Sequence, residues 1–212
     1  MTTAAAATRT DVVTDVDELR ALVGPVGERA ANKVRTTLGS LHRQWIAACP
    51  FVVVATSSPE GDVDASPKGD PPGFAHVLDD TTLVLPERPG NRRLDGYLNV
   101  LANPHVGLLF VIPGRSDTLR INGAARIVRD APWFDDLVVK GHRPTLALEV
   151  SVEEVFFHCG KAFLRSDMWK PETWRPDAVP SRAAIAQQIE RPDESLEELE
   201  HYYGEQYQQY LY

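Results

Sequence analysis

Two adjacent arginines in a Gly/Pro-rich turn are the residues of this sequence best suited to bind an anion. The turn, PGNRR at residues 89–93, comes directly before a stretch with helical periodicity. The first N–H groups of a helix have no intrahelical partner and lie at the positive end of the macrodipole, so they attract negative charge. Arginine adds paired hydrogen bonds to phosphate oxygens. Asn91, Arg92 and Arg93 therefore predict a phosphate site; the alternative is a loop with two solvated arginines.

The overall charge makes a local anion site the better reading of these arginines than a broad basic surface. The chain carries 22 Lys and Arg against 30 Asp and Glu, a formal net charge of −8. A general nucleic-acid binder needs a basic face that neutralises phosphates, so this class is excluded. Arg88 directly precedes the turn, and both it and Lys68, farther upstream, could join the same site.

The sequence does not contain the motifs of metal-dependent, nucleotide-binding or serine-nucleophile sites. Cys49 and Cys159 lie far apart without metal-ligand spacing and are interpreted as free thiols. The histidines are scattered, so no metal site is predicted. No phosphate loop, dinucleotide-binding glycine pattern, HExxH zinc pattern or nucleophile elbow occurs.

The length and hydropathy of the chain favour one soluble domain with terminal extensions. The sequence has 212 residues, and no apolar run approaches the roughly 20 residues of a membrane span. Its start lacks the basic segment and apolar core of a secretory signal. The expectation is a cytoplasmic protein without a membrane or nucleic-acid partner.

Short strands recur every eight to twelve residues through the middle of the sequence, a rhythm typical of a small antiparallel barrel. The helix after the arginine turn is expected to bury Leu94, Tyr97, Leu98 and Leu101. A further short helix is predicted at 131–140. The predicted strand segments are 51–56, 63–66, 75–78, 81–85, 106–112, 118–128, 145–150 and 155–157.

Two stretches place polar side chains where they could face a ligand. Thr118 and Arg120 lie on the polar face of an alternating strand, where they serve either a ligand or water. If the stretch from residue 158 is helical, Lys161, Arg165 and Trp169 share one face at i, i+4 and i+8. Such a stripe could hold an anionic planar ligand, or it could be solvated with the tryptophan against the core.

Four regions are predicted. Residues 1–14 are expected to be disordered, 15–48 to form N-terminal helices, 49–175 to form the barrel domain, and 176–212 to form a helical extension. The extension contains a helix at 181–189 and an acidic, tyrosine-rich tail, which is interpreted as a helix that packs on a partner subunit.

At this point the chain resembles a known family, the pyridoxamine 5′-phosphate oxidase-like flavoproteins, in a bacterial FMN-dependent branch whose substrate is generally unassigned. The resemblance spans about residues 50–175. It implies a mainly β fold with flanking helices (α+β), a six-stranded antiparallel FMN-binding split β-barrel. The segments that carry it are DASPKGD at 64–70, RPGNR at 88–92, Asn103-Pro104, DTLRING at 117–123 and the stretch from His158 to Trp169.

The resemblance implies a homodimer with FMN in clefts at the subunit interface. Asn91, Arg92 and Arg93 would hold the FMN phosphate. Three further groups would complete the cofactor site: Ser66, Pro67, Lys68 and Gly69 beside the ring and ribityl chain, Thr118 and Arg120 facing the flavin, and Lys161, Arg165 and Trp169 closing the pocket, from this or the other subunit.

The resemblance also implies the function, an FMN-dependent oxidoreductase that transfers hydride or electrons to or from a small organic substrate. The flavin carries that chemistry, so no catalytic dyad is needed. The strand that precedes Lys68 and the C-terminal region both depart from the true pyridoxamine phosphate oxidases, which argues against pyridoxine phosphate as substrate. Alternatives are a flavin or haem carrier or sensor, with His158 or His76 on iron, and an F420-dependent reductase.

Overall fold

The computed structural model describes residues 10–212, apart from the side chains of residues 205 and 206. The predicted disorder of residues 1–14 falls largely on residues 1–9, which lie outside the described residues. The described chain divides into two compact units, one ending at Val34 and the other comprising Arg35–Tyr212. The predicted boundaries at 48/49 and 175/176 stay predictions.

The first unit contains two short helices, α1 (Val16–Val23) and α2 (Glu28–Ala31). The side chain of Asp15 caps α1 by accepting a hydrogen bond from the Glu18 N–H at 2.8 Å, which satisfies one of the unpaired donors of the first turn. The apolar residues of α1 are exposed; Val16, Leu22 and Val23 each keep at least 67% of their surface accessible to solvent. The helix was therefore predicted, but its apolar side is not buried.

The second unit is built on one antiparallel sheet of seven strands in the order β2-β1-β5-β6-β7-β4-β3. The resemblance implied six strands, and the local patterns predicted eight segments. The two segments predicted at 145–150 and 155–157 are one continuous strand, which reduces the eight to seven, and the short strand β3 pairs with β4 as a strand of its own. The strands are β1 (Phe51–Ser57), β2 (Val63–Gly69), β3 (His76–Val77), β4 (Thr82–Pro86), β5 (His105–Val111), β6 (Thr118–Val128) and β7 (Ala147–His158).

Short helices flank this sheet, so the fold is mainly β with flanking helices, as predicted. The stretch expected as a helix at 131–140 is a 3-10 helix, Pro132–Leu137. Further 3-10 helices are Pro171–Thr173, Pro176–Ala178 and Glu205–Tyr210. The α-helices are α3 (Ser40–Ala48), α4 (Asp95–Ala102), α5 (Lys161–Arg165), α6 (Arg182–Ile189) and α7 (Leu196–Tyr203).

The sheet curls until its distant strands face each other. β2 and β4 are first and sixth in the strand order, yet Nζ of Lys68, on β2, lies 2.6 Å from Oε2 of Glu87, just after β4. Helix α4 packs against β1, β2 and β6. The result is a split barrel with a slot between β2 and the chain that leaves β4.

Helix α4 buries a different face from the one predicted. Tyr97 is buried as expected, but Leu94, Leu98 and Leu101 are 37%, 60% and 74% exposed. The helix is rotated so that Asn99 faces inward, where its Nδ2 donates to Oγ1 of Thr56 at 3.1 Å. The spacing of the leucines predicted that their face of the helix would be buried. The face that carries Asn99 is buried instead, and its hydrogen bond to Thr56 stabilises this orientation.

Strand β6 has the predicted apolar face, with Leu119, Ile121 and Ala125 buried. On the face predicted to be polar, Arg120 is exposed, whereas Thr118 is only 3% exposed. A β-bulge interrupts the pairing with β7 at Asn122/Gly123.

The C-terminal helices form a small cluster of their own, in which Leu199 of α7 packs on Ala183 and Ala186 of α6. Packing of this tail on a partner subunit stays a prediction. Cys49 is buried, Cys159 is exposed, and both are free. Within residues 10–212, none of the helices is long and apolar enough to cross a membrane.

Candidate functional site

A cavity of about 570 Å³ occupies the slot of the split barrel. Its volume is within the range of small-molecule and cofactor sites. One wall is β2, and the opposite wall is the segment from Pro86 to Tyr97, which leads from β4 into α4. Val54, Phe74, Leu85, Val100 and Leu148 supply an apolar floor.

Strand β2 turns an unpaired backbone edge away from β1. β2 is the first strand of the order, so β1 is its sole partner in the sheet. Asp70 donates its backbone N–H to the Pro50 carbonyl at 3.1 Å, and pairing alternates along an antiparallel strand. The backbone groups of Ala65, Pro67 and Gly69 therefore point away from β1. Pro67, which has no N–H, fits this edge because no ladder bond is lost there.

The arginine turn lies at one end of the cavity and has an unusual backbone. Arg92 and Leu94 have φ of 61° and 55°, in the left-handed region that non-glycine residues rarely adopt. Oδ1 of Asn91 accepts the Arg93 backbone N–H at 3.0 Å, which tightens the turn. Conformations of this kind concentrate at ligand sites.

The two arginines of the turn differ in their surroundings. The Nε of Arg93 donates to Oδ2 of Asp95 at 2.7 Å, and this bond raises the pKa of the guanidinium. Within the described part of the chain, the Arg92 side chain has no hydrogen-bond or ion-pair partner. Of the two arginines in the turn, Arg92 is therefore the one whose guanidinium is not engaged by another described side chain.

Gly96 allows the first turn of α4 to lie against β2. A Cβ at this position would stand 2.8 Å from Oδ2 of Asp64, on β2. The Asp64 carboxylate therefore lies beside the first turn of α4. This end of the cavity is thus bounded by the beginning of β2 and the beginning of α4.

The middle of the slot is crossed by the ion pair between Lys68 and Glu87, whose side chains are 22% and 18% exposed. Nζ of Lys68 lies 5.5 Å from the centre of the Tyr97 ring. Burial, and then the charge of Glu87, raise the pKa of the Tyr97 phenol far above its usual value. The phenol is therefore a neutral hydrogen-bonding group at ordinary pH.

The far end of the cavity lies just past β2, where three distant parts of the chain meet. Arg88 donates through Nε to Oδ2 of Asp70 at 2.5 Å and through Nη2 to the Leu137 carbonyl at 2.8 Å. The Tyr212 hydroxyl donates to the other carboxylate oxygen, Oδ1 of Asp70. Tyr212 was not predicted as a site residue, because nothing in the sequence indicates that it lies beside a residue 142 positions away.

The structure brings together seven of the predicted cofactor-site residues. They line both walls of the cavity: Ser66, Pro67, Lys68 and Gly69 on β2, with Asn91, Arg92 and Arg93 in the turn. The same walls carry four carboxylates, those of Asp64, Asp70, Glu87 and Asp95, as many as the cations Lys68, Arg88, Arg92 and Arg93. The positive charges predicted to gather at this site are therefore balanced in number by carboxylates of the same cavity walls.

The other five predicted residues do not line this cavity in the described chain. Thr118 is buried in β6, and the exposed Arg120 lies over the Phe156 ring at 5.6 Å. Lys161 and Arg165 are exposed on α5. Helix α5 ends at Arg165, so the expectation that Trp169 continues its stripe is wrong: Trp169 stacks on Phe163 and donates from Nε1 to the Arg115 carbonyl at 2.7 Å. Their contribution to a site shared with a second chain stays a prediction.

The curled antiparallel sheet and its slot-shaped cavity define a small split-barrel protein with a cofactor-sized site. The family model described as pyridoxamine 5′-phosphate oxidase matches residues 38–159, more than half of the sequence. The chain therefore belongs to this family. Nothing matches among curated proteins.

Solved structures with a similar fold have low sequence identity. HupZ from Group A Streptococcus is 20% identical over 56% of this chain and 92% of its own, with a TM-score of 0.46. A putative pyridoxamine 5′-phosphate oxidase from Lactobacillus delbrueckii is 22% identical over 58% and 98% of the two chains, with a TM-score of 0.46. An FMN-binding protein from Syntrophomonas wolfei is 11% identical over 55% and 83%, with a TM-score of 0.45.

Proposed function

We propose that this protein is an FMN-dependent oxidoreductase that transfers hydride or electrons to or from a small organic substrate. The observation that carries the proposal is the slot between β2 and the arginine turn, with the unpaired Arg92 at one end. Membership of the family supports the same conclusion. Within residues 10–212, no group of His, Cys, Asp or Glu is arranged to hold a metal ion.

The residues of the slot fit the parts of FMN. The phosphate would be held by Arg92, by Arg93 where it reaches past Asp95, and by the unpaired N–H groups at the start of α4. The planar ring would lie along β2, whose free backbone edge offers N–H and C=O groups to the polar rim of a flavin. The apolar floor would cover the ring's other surface. FMN itself supplies the redox chemistry, while the protein binds and orients it.

The ion pair across the slot limits the positive charge that Lys68 can offer to a bound flavin. Its ammonium is already neutralised by Glu87 at 2.6 Å, so it adds little net positive charge beside a bound ring. The Gly69 N–H on the free edge of β2 is the better candidate donor to the flavin. Arg120, which lies outside this cavity, would act only from a second subunit.

The proposal includes a homodimer with the cofactor near the subunit interface. Leu94, Leu98 and Leu101 form an exposed apolar stripe on α4, and the first of them also lines the cavity. A second copy covering this stripe would remove apolar surface from water beside the cofactor site. Arg120, Lys161, Arg165 and Trp169 would take their proposed roles in that assembly, whereas the side chain of Thr118 is buried within its own chain.

The identity of the bound chromophore tests the cofactor. Purified protein should carry FMN, or take it up on incubation, with flavin absorption and release of FMN identified by mass spectrometry. F420 in the released material would replace FMN in the proposal. A haem absorption band would overturn it; His76 and His158, the predicted iron ligands, are not among the residues that line the cavity.

The phosphate assignment is tested by Arg92→Ala. Loss of a charge-assisted hydrogen bond should cost about 1.5–3 kcal/mol, or roughly a tenfold to hundredfold weaker Kd for FMN in a fluorescence titration. Arg182→Ala is the matched control, since Arg182 is an exposed α6 arginine paired with Glu190. Equal FMN affinity in both variants would remove the phosphate assignment.

A further inference from the structure

At the far end of the cavity, one side chain of this protein is contacted through both its aromatic ring and its hydroxyl group. This occupant is Tyr212, and its contacts come from three separate parts of the fold. These are Asp70 after β2, Arg88 after β4, and the tight turn that contains Lys140 and His142.

Each contact recognises a different property of the occupant. The Asp70 carboxylate accepts the phenolic O–H, and its side chain is only 2% exposed. The Arg88 Cζ and Lys140 Nζ lie 5.8 and 5.1 Å from the ring centre, where cations attract an electron-rich ring. The His142 ring stacks at 5.7 Å with an interplanar angle of 27°. A hydrogen-bond donor on an electron-rich planar ring meets all of these requirements.

The same contacts exclude other ligand groups. A carboxylate or phosphate in place of the hydroxyl would face the Asp70 carboxylate, and like charges repel at this distance. A ring without a donor would leave a buried carboxylate oxygen without its hydrogen bond, which is costly.

The segment that delivers Tyr212 is lightly held elsewhere. Tyr207, Tyr210 and Leu211 are 46%, 62% and 48% exposed, and the preceding 3-10 helix is fixed largely by ring contacts among Tyr202, Tyr203, Tyr207 and Tyr210. Of this segment, Leu211 and Tyr212 line the cavity, and none of its described side chains belongs to the sheet core, so its displacement would leave that core intact.

We propose that this end of the cavity is a substrate subsite for a hydroxylated aromatic ring, which Tyr212 fills until such a ligand displaces it. The inference deepens the proposed function, and rests on it, by naming a substrate class at the end of the slot opposite the phosphate site. The subsite itself is formed by residues of this chain and can be measured without FMN.

Binding of simple probes to protein without added FMN tests the subsite. In Tyr212→Ala the site is open, so 4-methylphenol should bind at least tenfold more tightly than to wild type, where Tyr212 competes and lowers the apparent affinity. It should also bind Tyr212→Ala at least tenfold more tightly than 4-methylanisole, which has the same ring but no donor. Leu164→Ala removes an exposed side chain of α5, away from both the cavity and the tail, and should behave as wild type.

Hydrogen exchange of residues 204–212 tests the displacement in wild-type protein. Saturating 4-methylphenol should speed exchange in this segment several-fold, and 4-methylanisole should not. Equal binding of the two probes to Tyr212→Ala, or no gain over wild type, would overturn the subsite; unchanged exchange would overturn displacement of Tyr212. A protein that binds no FMN but passes these tests would overturn the proposed function alone.

Discussion

At the scale of single residues, the site is defined by which charges are already paired. The sequence alone does not show which of the eight charged side chains in the cavity walls are paired with one another. The structure shows Lys68 bound to Glu87, Arg88 to Asp70 and Arg93 to Asp95, each within 2.7 Å. Arg92 is the cation of these walls that has no such pair in the described chain, so two adjacent arginines of the same type differ in their surroundings.

This difference predicts unequal effects of two otherwise identical substitutions. Arg92→Ala should weaken FMN binding more than Arg93→Ala, by about 1 kcal/mol or more, because Arg93 must share its guanidinium with Asp95. Parallel fluorescence titrations of the two variants measure the difference. A larger loss for Arg93→Ala would assign the phosphate to Arg93 instead.

Tyr97 predicts a loss of stability at alkaline pH. Its pKa in the folded protein is raised above the ordinary value of 10.0, chiefly by burial. The unfolded phenol therefore loses its proton first, so the stabilising contribution is complete below pH about 10 and falls as pH rises from there. Between pH 8 and 11, the free energy of unfolding should fall less in Tyr97→Phe than in wild type.

Urea unfolding at several pH values measures this slope, with Tyr210→Phe as the control because Tyr210 is exposed. Parallel pH profiles for wild type and Tyr97→Phe would show that the buried phenol is not the source of the alkaline loss. Tyr212 has a pKa raised by its bond to Asp70 and adds in the same direction, so part of the slope should survive in Tyr97→Phe.

At the scale of elements, a β-bulge sets how β6 and β7 pair. Asn122 pairs with Glu154 and Gly123 with Val152, so Glu153 is the extra residue of β7. A Cβ on Gly123 would lie 2.0 Å from the Ser151 carbonyl oxygen, a clash with backbone that no side-chain rotation relieves. This position therefore requires glycine for space rather than for backbone conformation.

We expect Gly123→Ala to lower the free energy of unfolding by about 1–3 kcal/mol or more, the usual cost of forced overpacking. Gly90→Ala is the control: the nearest atom to its Cβ, the Arg88 carbonyl oxygen, is 4.0 Å away, and its effect should stay within about 0.5 kcal/mol. Urea denaturation of both variants measures the two values. Equal stability of the two would mean that the bulge relaxes around the added carbon.

At the scale of the whole molecule, the exposed leucine stripe of α4 predicts how two copies associate. Leu98 is 60% exposed in the single chain, so Leu98→Asp should leave the fold intact. If a second copy covers the stripe, the buried charge should shift the protein from dimer to monomer. Sedimentation velocity gives the oligomeric state, and circular dichroism checks the fold.

Leu41→Asp supplies the control, because Leu41 is 66% exposed on α3 and lies outside the stripe. A wild-type protein that is already monomeric, or a Leu98→Asp variant that stays dimeric, would contradict the proposed interface. FMN affinity measured on the same samples shows whether the cofactor site depends on the second copy.

Local patterns determined much of the fold in this sequence. The alternating strands, the arginine turn before a helix and the Asn-Pro sequence that ends it are encoded by neighbouring residues, so a small antiparallel barrel and the position of the turn were predictable, while the split form of the barrel was implied by the family resemblance. The same patterns indicated that 145–150 and 155–157 were strands, although not that they were one strand, because pairing with β6 continues through the bulge.

Contacts between distant residues could be decided only by the tertiary structure. The face of α4 that is buried depends on Asn99 meeting Thr56, 43 positions away, and the charge balance of the cavity depends on Lys68 meeting Glu87. Tyr212 reaches Asp70 because the tail folds back over the slot. Periodicity reports which side chains share a face, whereas the partner across a cavity depends on how the sheet curls, a property of the whole chain.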